Sequence, residues 1–260
     1  MILSVCMATY QGELYVERQL RSILDELGPD DEVIVVDDCS KDRTVEVIES
    51  MGDRRIKVIR NPVNHREVFS FGKAIELARG DVIFLADQDD IWLPGRAALM
   101  VTRLRESGAD LISTNFEWMD ASEHPLEVAF DGVSSAKSKH YLTNIIDIFV
   151  GRTTYFGCAQ AFRRELVPLI MPFPAYVESH DHWIPLAANL IGSNLHIDEK
   201  TLRKRKHDNN ATSTVSSRRL SQKLWSRWIL ARSLVELSAR RRRLAALGRY
   251  GTARRVANKL

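Results

Sequence analysis

Cysteine is scarce in this chain. Cys6, Cys39 and Cys158 are the only three and form no CxxC pair, which excludes a disulfide framework and a zinc ribbon. No apolar run approaches the roughly 18 residues of a membrane span. The opening stretch, Met1 to Ala8, lacks the basic start and the length of a signal peptide. No glycine-rich phosphate loop follows the first apolar run, which disfavours an enzyme that cradles a triphosphate. Neither a GxSxG pattern nor a Cys-His signal offers a covalent nucleophile. With 45% hydrophobic and 27% charged residues the chain has the composition of a globular protein, expected to remain in a reducing cytoplasm.

Negative charge is nearly missing from the last quarter. Residues 200–260 hold 18 Lys and Arg against 2 Asp and Glu, net +16, so the first 199 residues carry −13 although the whole is only +3. An acidic body therefore bears a basic tail. In that tail Leu220, Leu224, Trp225, Trp228, Ala231 and Val235 fall near one helical face, and Arg227, Arg232 and the run at 240–243 supply charge. Two readings stay open. The helix lies on an anionic membrane surface, or it packs its apolar stripe on the body and leaves a basic face in water. Nucleic acid is not an expected partner, because the acidic body repels it.

The body alternates. Short apolar runs at residues 2–8, 33–36, 56–59 and 82–86 read as strands, and residues 13–27, 45–51, 69–78 and 94–108 have helical spacing. Strands alternating with helices at this pace mean βαβ units and a mostly parallel sheet flanked by helices. A fifth extended segment is expected at 109–113, loop at 116–139, a strand at 156–162, a brief helix at 164–171 and an apolar helix through Leu190.

Two of the strands end in acid. Val82 to Ala86 runs into Asp87, Asp89 and Asp90, and Val33 to Val36 into Asp37 and Asp38. In an open α/β sheet both groups belong on the carboxyl edge, where ligands bind, and carboxylates there suit a hard cation shared with phosphate. A receiver-type phosphorylation domain also has paired acids and another acid about 50 residues on. In that fold, however, the pair ends the first strand, whereas here a strand and a helix precede it. In the stretch His180-Asp181-His182, Asp181 is either a general base at a helix start or a structural cap. With His207 these residues are also candidate zinc ligands, although neighbours in a helix or strand point apart.

Taken together the motifs resemble family 2 glycosyltransferases, nearest to the rhamnosyltransferase-like subgroup. The residues that carry the resemblance are Ala8-Thr-Tyr-Gln-Gly-Glu13, Val35-Val-Asp-Asp-Cys-Ser-Lys-Asp-Arg-Thr44, Asp87-Gln-Asp-Asp-Ile-Trp-Leu-Pro94, Gly157-Cys-Ala-Gln-Ala-Phe162, His180-Asp-His-Trp183 and Lys206-His-Asp-Asn-Asn210. The likeness covers residues 1–212 and implies a GT-A fold, with a donor-binding half at 1–115, an acceptor half at 116–212 and a basic helical extension at 213–260. It implies an inverting transfer from a dTDP- or UDP-sugar, rhamnose favoured, to a glycan or lipid-linked acceptor in surface polysaccharide synthesis. Mn²⁺ or Mg²⁺ would assist, and the enzyme would sit in the cytoplasm, peripheral to the inner face of the membrane. By the same resemblance Ala8, Thr9, Tyr10, Glu13, Asp38 and Asp87 contact the donor, Asp89 and His207 the metal, and Asp181 is the catalytic base. A non-catalytic sugar-nucleotide binder is the alternative, and it would be expected to have lost Asp89 or Asp181. Gln11 stands where the family usually has Asn, the loop at 64–67 lacks its usual Gly, and His182 replaces a frequent aromatic.

Overall fold

The computed structural model describes residues 1–128, 132–152, 155–206 and 220–248. The first half follows the predicted alternation: β1 (Leu3–Thr9), α1 (Val16–Leu24), β2 (Glu32–Asp37), α2 (Thr44–Ser50), β3 (Ile56–Arg60), α3 (Glu67–Leu77) and β4 (Val82–Asp87). β1 pairs in parallel with β2 on one side and β4 on the other, and β3 lies beyond β2. Period-two alternation divides these strands between two cores. Val5, Met7, Val33 and Val35 meet Val16, Leu20 and Ile23 of α1, while Cys6, Ile34 and Val36 meet Phe71, Ala74 and Ile75 of α3. With both faces covered, the strands read as unbroken apolar runs, which is why the sequence located them.

The second half contains β5 (Ile91–Trp92), α4 (Arg96–Ser107), β6 (Leu111–Met119), β7 (Pro125–Leu126), α5 (Tyr141–Val150), β8 (Gln160–Arg163), α6 (Val167–Ile170), α7 (His180–Leu190), β9 (Asn194–Arg205) and α8 (Leu220–Ala246). Among the described residues the strands form one mixed sheet in the order β3-β2-β1-β4-β8-β6-β9-β5, with β7 on β6. β8 runs antiparallel to both β4 and β6, and β9 is parallel to β6. The sheet is thus parallel through β4 and reverses at β8.

Several sequence expectations change here. Residues 116–119 are not loop: β6 continues through Met119 because β9 pairs with it along its length. Only residues 160–163 of the expected 156–162 strand are extended, and Gly157–Ala159 is a 3₁₀ turn. The helix expected from Pro94 begins at Arg96, since Ile91–Trp92 first pairs with β9. β6 also crosses the 115/116 division, so both expected halves share one sheet. The boundary at 212 lies outside the described residues, as does His207.

Helix α8 lies against α6 and α7. Ile229, Ser233, Leu237 and Leu244 are its buried positions, and each large apolar side chain there contributes about 1.5–3 kcal/mol. Arg240 donates to the Pro172 carbonyl at 2.8 Å and Arg241 to that of Leu190 at 3.0 Å. The stripe predicted from the sequence is not the inner one. Leu224, Trp225, Trp228 and Val235 are exposed.

Candidate active site

Parallel pairing sets the site. Ala8 is in register with Asp87 and with Val36, and Thr9 with Asp37, so the ends of β1, β2 and β4 lie level on one edge. Beyond β1 the chain turns at residues 10–12, where Gln11 takes φ +50°. Gln88 braces this turn to the acid loop: its amide accepts from Tyr10 N–H and donates to Tyr10 O, both at 3.0 Å. Glycine at position 12 leaves room for this brace, because a Cβ there would lie 2.2 Å from the Gln88 side-chain oxygen and would displace it. The Tyr10 ring remains 46% exposed on this edge, open to stacking. Glu13 faces the loop before α2, accepting from Arg43 N–H at 2.9 Å. Thr9 is buried, and its hydroxyl lies 3.2 Å from Asp37.

Asp38 is buried too. Its oxygens accept from Asn61 at 2.9 Å, His65 N–H at 2.9 Å and Arg66 N–H at 2.7 Å, so the carboxylate shapes the 61–66 loop. Arg66 there has φ +70°, a strained conformation for a residue other than glycine.

The acids after β4 meet a cation that sequence reading overlooked. Lys204, at the end of β9, is 5% exposed, and its ammonium lies 2.8 Å from Asp87 Oδ2, 3.7 Å from Asp90 Oδ2 and 3.6 Å from Cys158 Sγ. Burial alone would strip the lysine of its proton, but Asp87 and Asp90 hold it and keep the group charged. At Asp87 burial opposes ionisation, yet Lys204 outweighs it and holds the carboxyl below its usual range. Asp90 goes the other way: burial raises its pKa, Lys204 offsets only part of that, and Asp89 and Asp87 add to the rise. Burial also pushes the Cys158 thiol well up. Arg205, next in β9, donates to the carbonyls of Asp89 at 2.9 Å and Ala121 at 2.8 Å, and its N–H reaches Asp90 Oδ1 at 3.1 Å, fixing the acid loop from below.

Which of these groups suits a divalent cation follows from the donors. Asp87, Asp90 and Cys158 each offer an atom, all within 4.8 Å of one another. That space, however, is already neutralised by Lys204, and a protonated thiol is a poor ligand for a hard ion. Asp90 Oδ2 has no hydrogen-bond partner and lies beyond bonding distance of Lys204. Asp89, the third acid of the loop, is not part of that group.

Asp181 is the second residue of α7, and Ser179 occupies the position before the helix. It is therefore not the helix N-cap. Its Oδ1 accepts from Gly157 N–H at 2.8 Å and lies 3.1 Å from His180 Nε2. A Cβ at Gly157 would stand 2.5 Å from that oxygen, so glycine at 157 lets the carboxylate occupy this position and a larger residue would push it aside. His180 is buried against Phe71 at 4.2 Å between ring centroids. Gly157 N–H holds Asp181, and the next residue, Cys158, has its sulfur within 4.8 Å of carboxylate oxygens of Asp87 and Asp90, so the head of α7 adjoins the edge that carries Asp87. The structure thus brings together Ala8, Thr9, Tyr10, Asp87, Asp89 and Asp181, and sets Asp38 and Glu13 behind, in the supporting loops. Lys204 and Arg205 lay in a basic run that read as tail. The signal for them was that three clustered acids require a cation.

A parallel sheet that reverses after β4, with its acids at the carboxyl edge, is the GT-A fold of nucleotide-diphospho-sugar transferases. The chain belongs to glycosyltransferase family 2: residues 4–167 match the family described as Glycosyl transferase family 2. It is 28% identical over 147 residues to TuaG of Bacillus subtilis, whose name assigns it to teichuronic acid biosynthesis, covering 56% of this chain and 58% of that one. To the dTDP-rhamnosyl transferase RfbG of Shigella flexneri it is 31% identical over 116 residues, covering 42% of this chain and 40% of the relative. The chain spans about half the length of these curated relatives. Among solved structures, residues 1–349 of S. aureus TarS in complex with UDP-GlcNAc match with TM-score 0.68 and 20% identity, over 92% of this chain and 72% of that one. That likeness establishes the fold.

Proposed function

We propose that this chain moves a sugar from a nucleotide-diphosphate donor to a hydroxyl of a glycan or lipid-linked acceptor, with inversion, in cell-surface polysaccharide synthesis at the inner face of the membrane. The observation that carries this reading is the convergence of two acid sets on one sheet edge: the acids after β4, and Asp181 at the head of α7, joined through Gly157, which holds Asp181, and Cys158, which lies within 4.8 Å of Asp87 and Asp90. The Tyr10 ring would stack on the pyrimidine, with Ala8, Thr9 and Asp87 lining the nucleoside and with Asp38 and Glu13 holding the loops around it. Asp89 would hold Mn²⁺ or Mg²⁺ on the diphosphate, and the ion when bound supplies a Lewis acid for the leaving charge. The acceptor hydroxyl attacks the sugar carbon from the face opposite the diphosphate. Its proton passes to Asp181, the new carbon–oxygen bond forms and the bond to diphosphate breaks. Gly157 N–H holds Oδ1, so Oδ2 would be the oxygen to take the proton. Rhamnose from a dTDP donor is favoured by the likeness to RfbG, and a UDP-sugar is the alternative that TarS suggests.

Calorimetry with dTDP- and UDP-sugars, with and without Mn²⁺, identifies the donor. Asp181→Asn should leave donor affinity nearly intact and lower kcat by about 10²- to 10⁴-fold, since the amide keeps the shape and cannot take a proton. Wild-type turnover by that variant would return Asp181 to a structural role. Asp89→Ala should lose metal-dependent donor affinity, and its full activity in excess chelator would sink the metal assignment.

A further inference from the structure

Helix α8 carries two apolar stripes, and the fold uses one. Ser233 and Leu237 face inward, whereas Leu224, Trp228 and Val235 fall on the other side. Two positions along an α-helix are about 200° around it, so the outer stripe at 224, 228 and 235 is nearly opposite the inner one at 229, 233 and 237. Leu224 is 63%, Trp228 49% and Val235 70% exposed, and Trp225 stacks on Trp228 at 5.0 Å between ring centroids. Basic side chains border the stripe: Arg232 lies against Trp228 and Tyr176, and Arg242 and Arg243 are exposed further along.

We infer that this outer face docks on an anionic lipid bilayer. Charge complementarity chooses the occupant. A second copy docked through the same face would bring the same arginines against one another. A bilayer surface offers both: anionic headgroups for the arginines and an interfacial zone where tryptophan is favoured. The docked helix also has a fixed direction. Trp225 donates to Glu178 at 3.2 Å, three residues before Asp181, so the tryptophan end adjoins the head of α7. Docking therefore sets the acid edge of the sheet beside the lipid surface. The inference does not depend on donor or transfer chemistry, because adsorption is read without nucleotide.

The test is co-sedimentation of the full chain with phosphatidylglycerol-containing vesicles and with pure phosphatidylcholine vesicles. The wild type should pellet with the anionic vesicles at low salt and release as salt rises. Leu224→Ser with Trp228→Ser should weaken that binding roughly tenfold or more, with the melting temperature unchanged, since both positions are exposed. Should that variant fold poorly, Arg242→Glu with Arg243→Glu reads the same surface and should abolish binding to anionic vesicles. A full chain that stays in the supernatant at low salt overturns the inference. So does wild-type adsorption by either double variant, or a vesicle-free dimer that the Leu224/Trp228 pair dissolves.

Discussion

Lys204 decides the character of the acid cluster one residue at a time. It draws Asp87 into a 2.8 Å ion pair and leaves the more deeply buried Asp90 at 3.7 Å, so two neighbouring carboxyls of one short loop shift in opposite directions. Breaking a buried pair costs more than the pair contributes, because the partner charge is left without solvent. Lys204→Met should therefore lower stability at neutral pH by about 3–5 kcal/mol. Part of that loss should return on mild acidification, as the abandoned carboxyls take up protons. Denaturant titrations of wild type and variant at two pH values check this. An unchanged midpoint would mean that the ammonium is solvated and the cluster is held otherwise.

Among the elements, the turn at Gly157–Ala159 positions a carboxylate of another segment, the one to which the proposed transfer gives the base role. Its N–H grips Asp181, and its missing side chain makes room for the carboxylate and for His180. Gly157→Ala would press a methyl against the Asp181 oxygen, 2.5 Å away, and against His180 Nε2, 2.7 Å away. The Asp181 carboxylate lies at the end of a rotatable side chain, so the fold can yield where the reaction cannot. The expected outcome is a fall in kcat of roughly tenfold or more, since small misplacement of a reacting group is costly, with a melting temperature close to wild type. Equal losses in stability and turnover would show that the turn matters only to the fold. The same division of labour holds in β9, whose last two residues brace the acid loop while its first residues close the far end of the sheet.

Across the whole molecule, one pH-dependent contribution to stability comes from a buried ring outside the acid loop. His196 in β9 is 1% exposed, with Nε2 2.9 Å from the Tyr155 hydroxyl and 3.2 Å from Asn194. Burial pushes its pKa down from 6.5 to about 4. The folded chain thus keeps the ring neutral where the unfolded chain binds a proton. Its contribution is complete above about pH 6.5 and is lost as pH falls toward 4, at up to ~1.4 kcal/mol per pH unit. Asp90, whose pKa burial raises to about 7, contributes the opposite slope in the same window, so the ring is read from the difference: denaturation midpoints of the wild type should fall more steeply toward pH 4 than those of His196→Gln. Glu32 and Asp87, whose carboxyls are held below their usual range, act at more acidic pH, so the two effects separate. Wild-type and His196→Gln profiles of equal slope between pH 6.5 and 4 would contradict the buried neutral ring.

The sequence by itself determined the first four strands, the helices between them and the acids at their ends. Those signals are local: apolar runs covered on both faces, helical spacing, and parallel crossovers that must deliver every strand end to one edge. Asp87 and Asp89 stand out as acids where an apolar run stops and Asp181 as an acid at a helix start, whereas a role for Asp181 as base comes from the family resemblance alone. Tertiary structure alone decided the rest. Thr201-Leu-Arg-Lys-Arg205 reads as polar tail until β6 pairs with it and the acid loop buries Lys204 and Arg205, because whether a charged side chain is buried depends on a partner more than a hundred residues away. The face of α8 was equally undetermined. Two apolar stripes give the helix two possible inner sides, and only packing against α6 and α7 selected Ile229 and Leu237, turning the tryptophans outward.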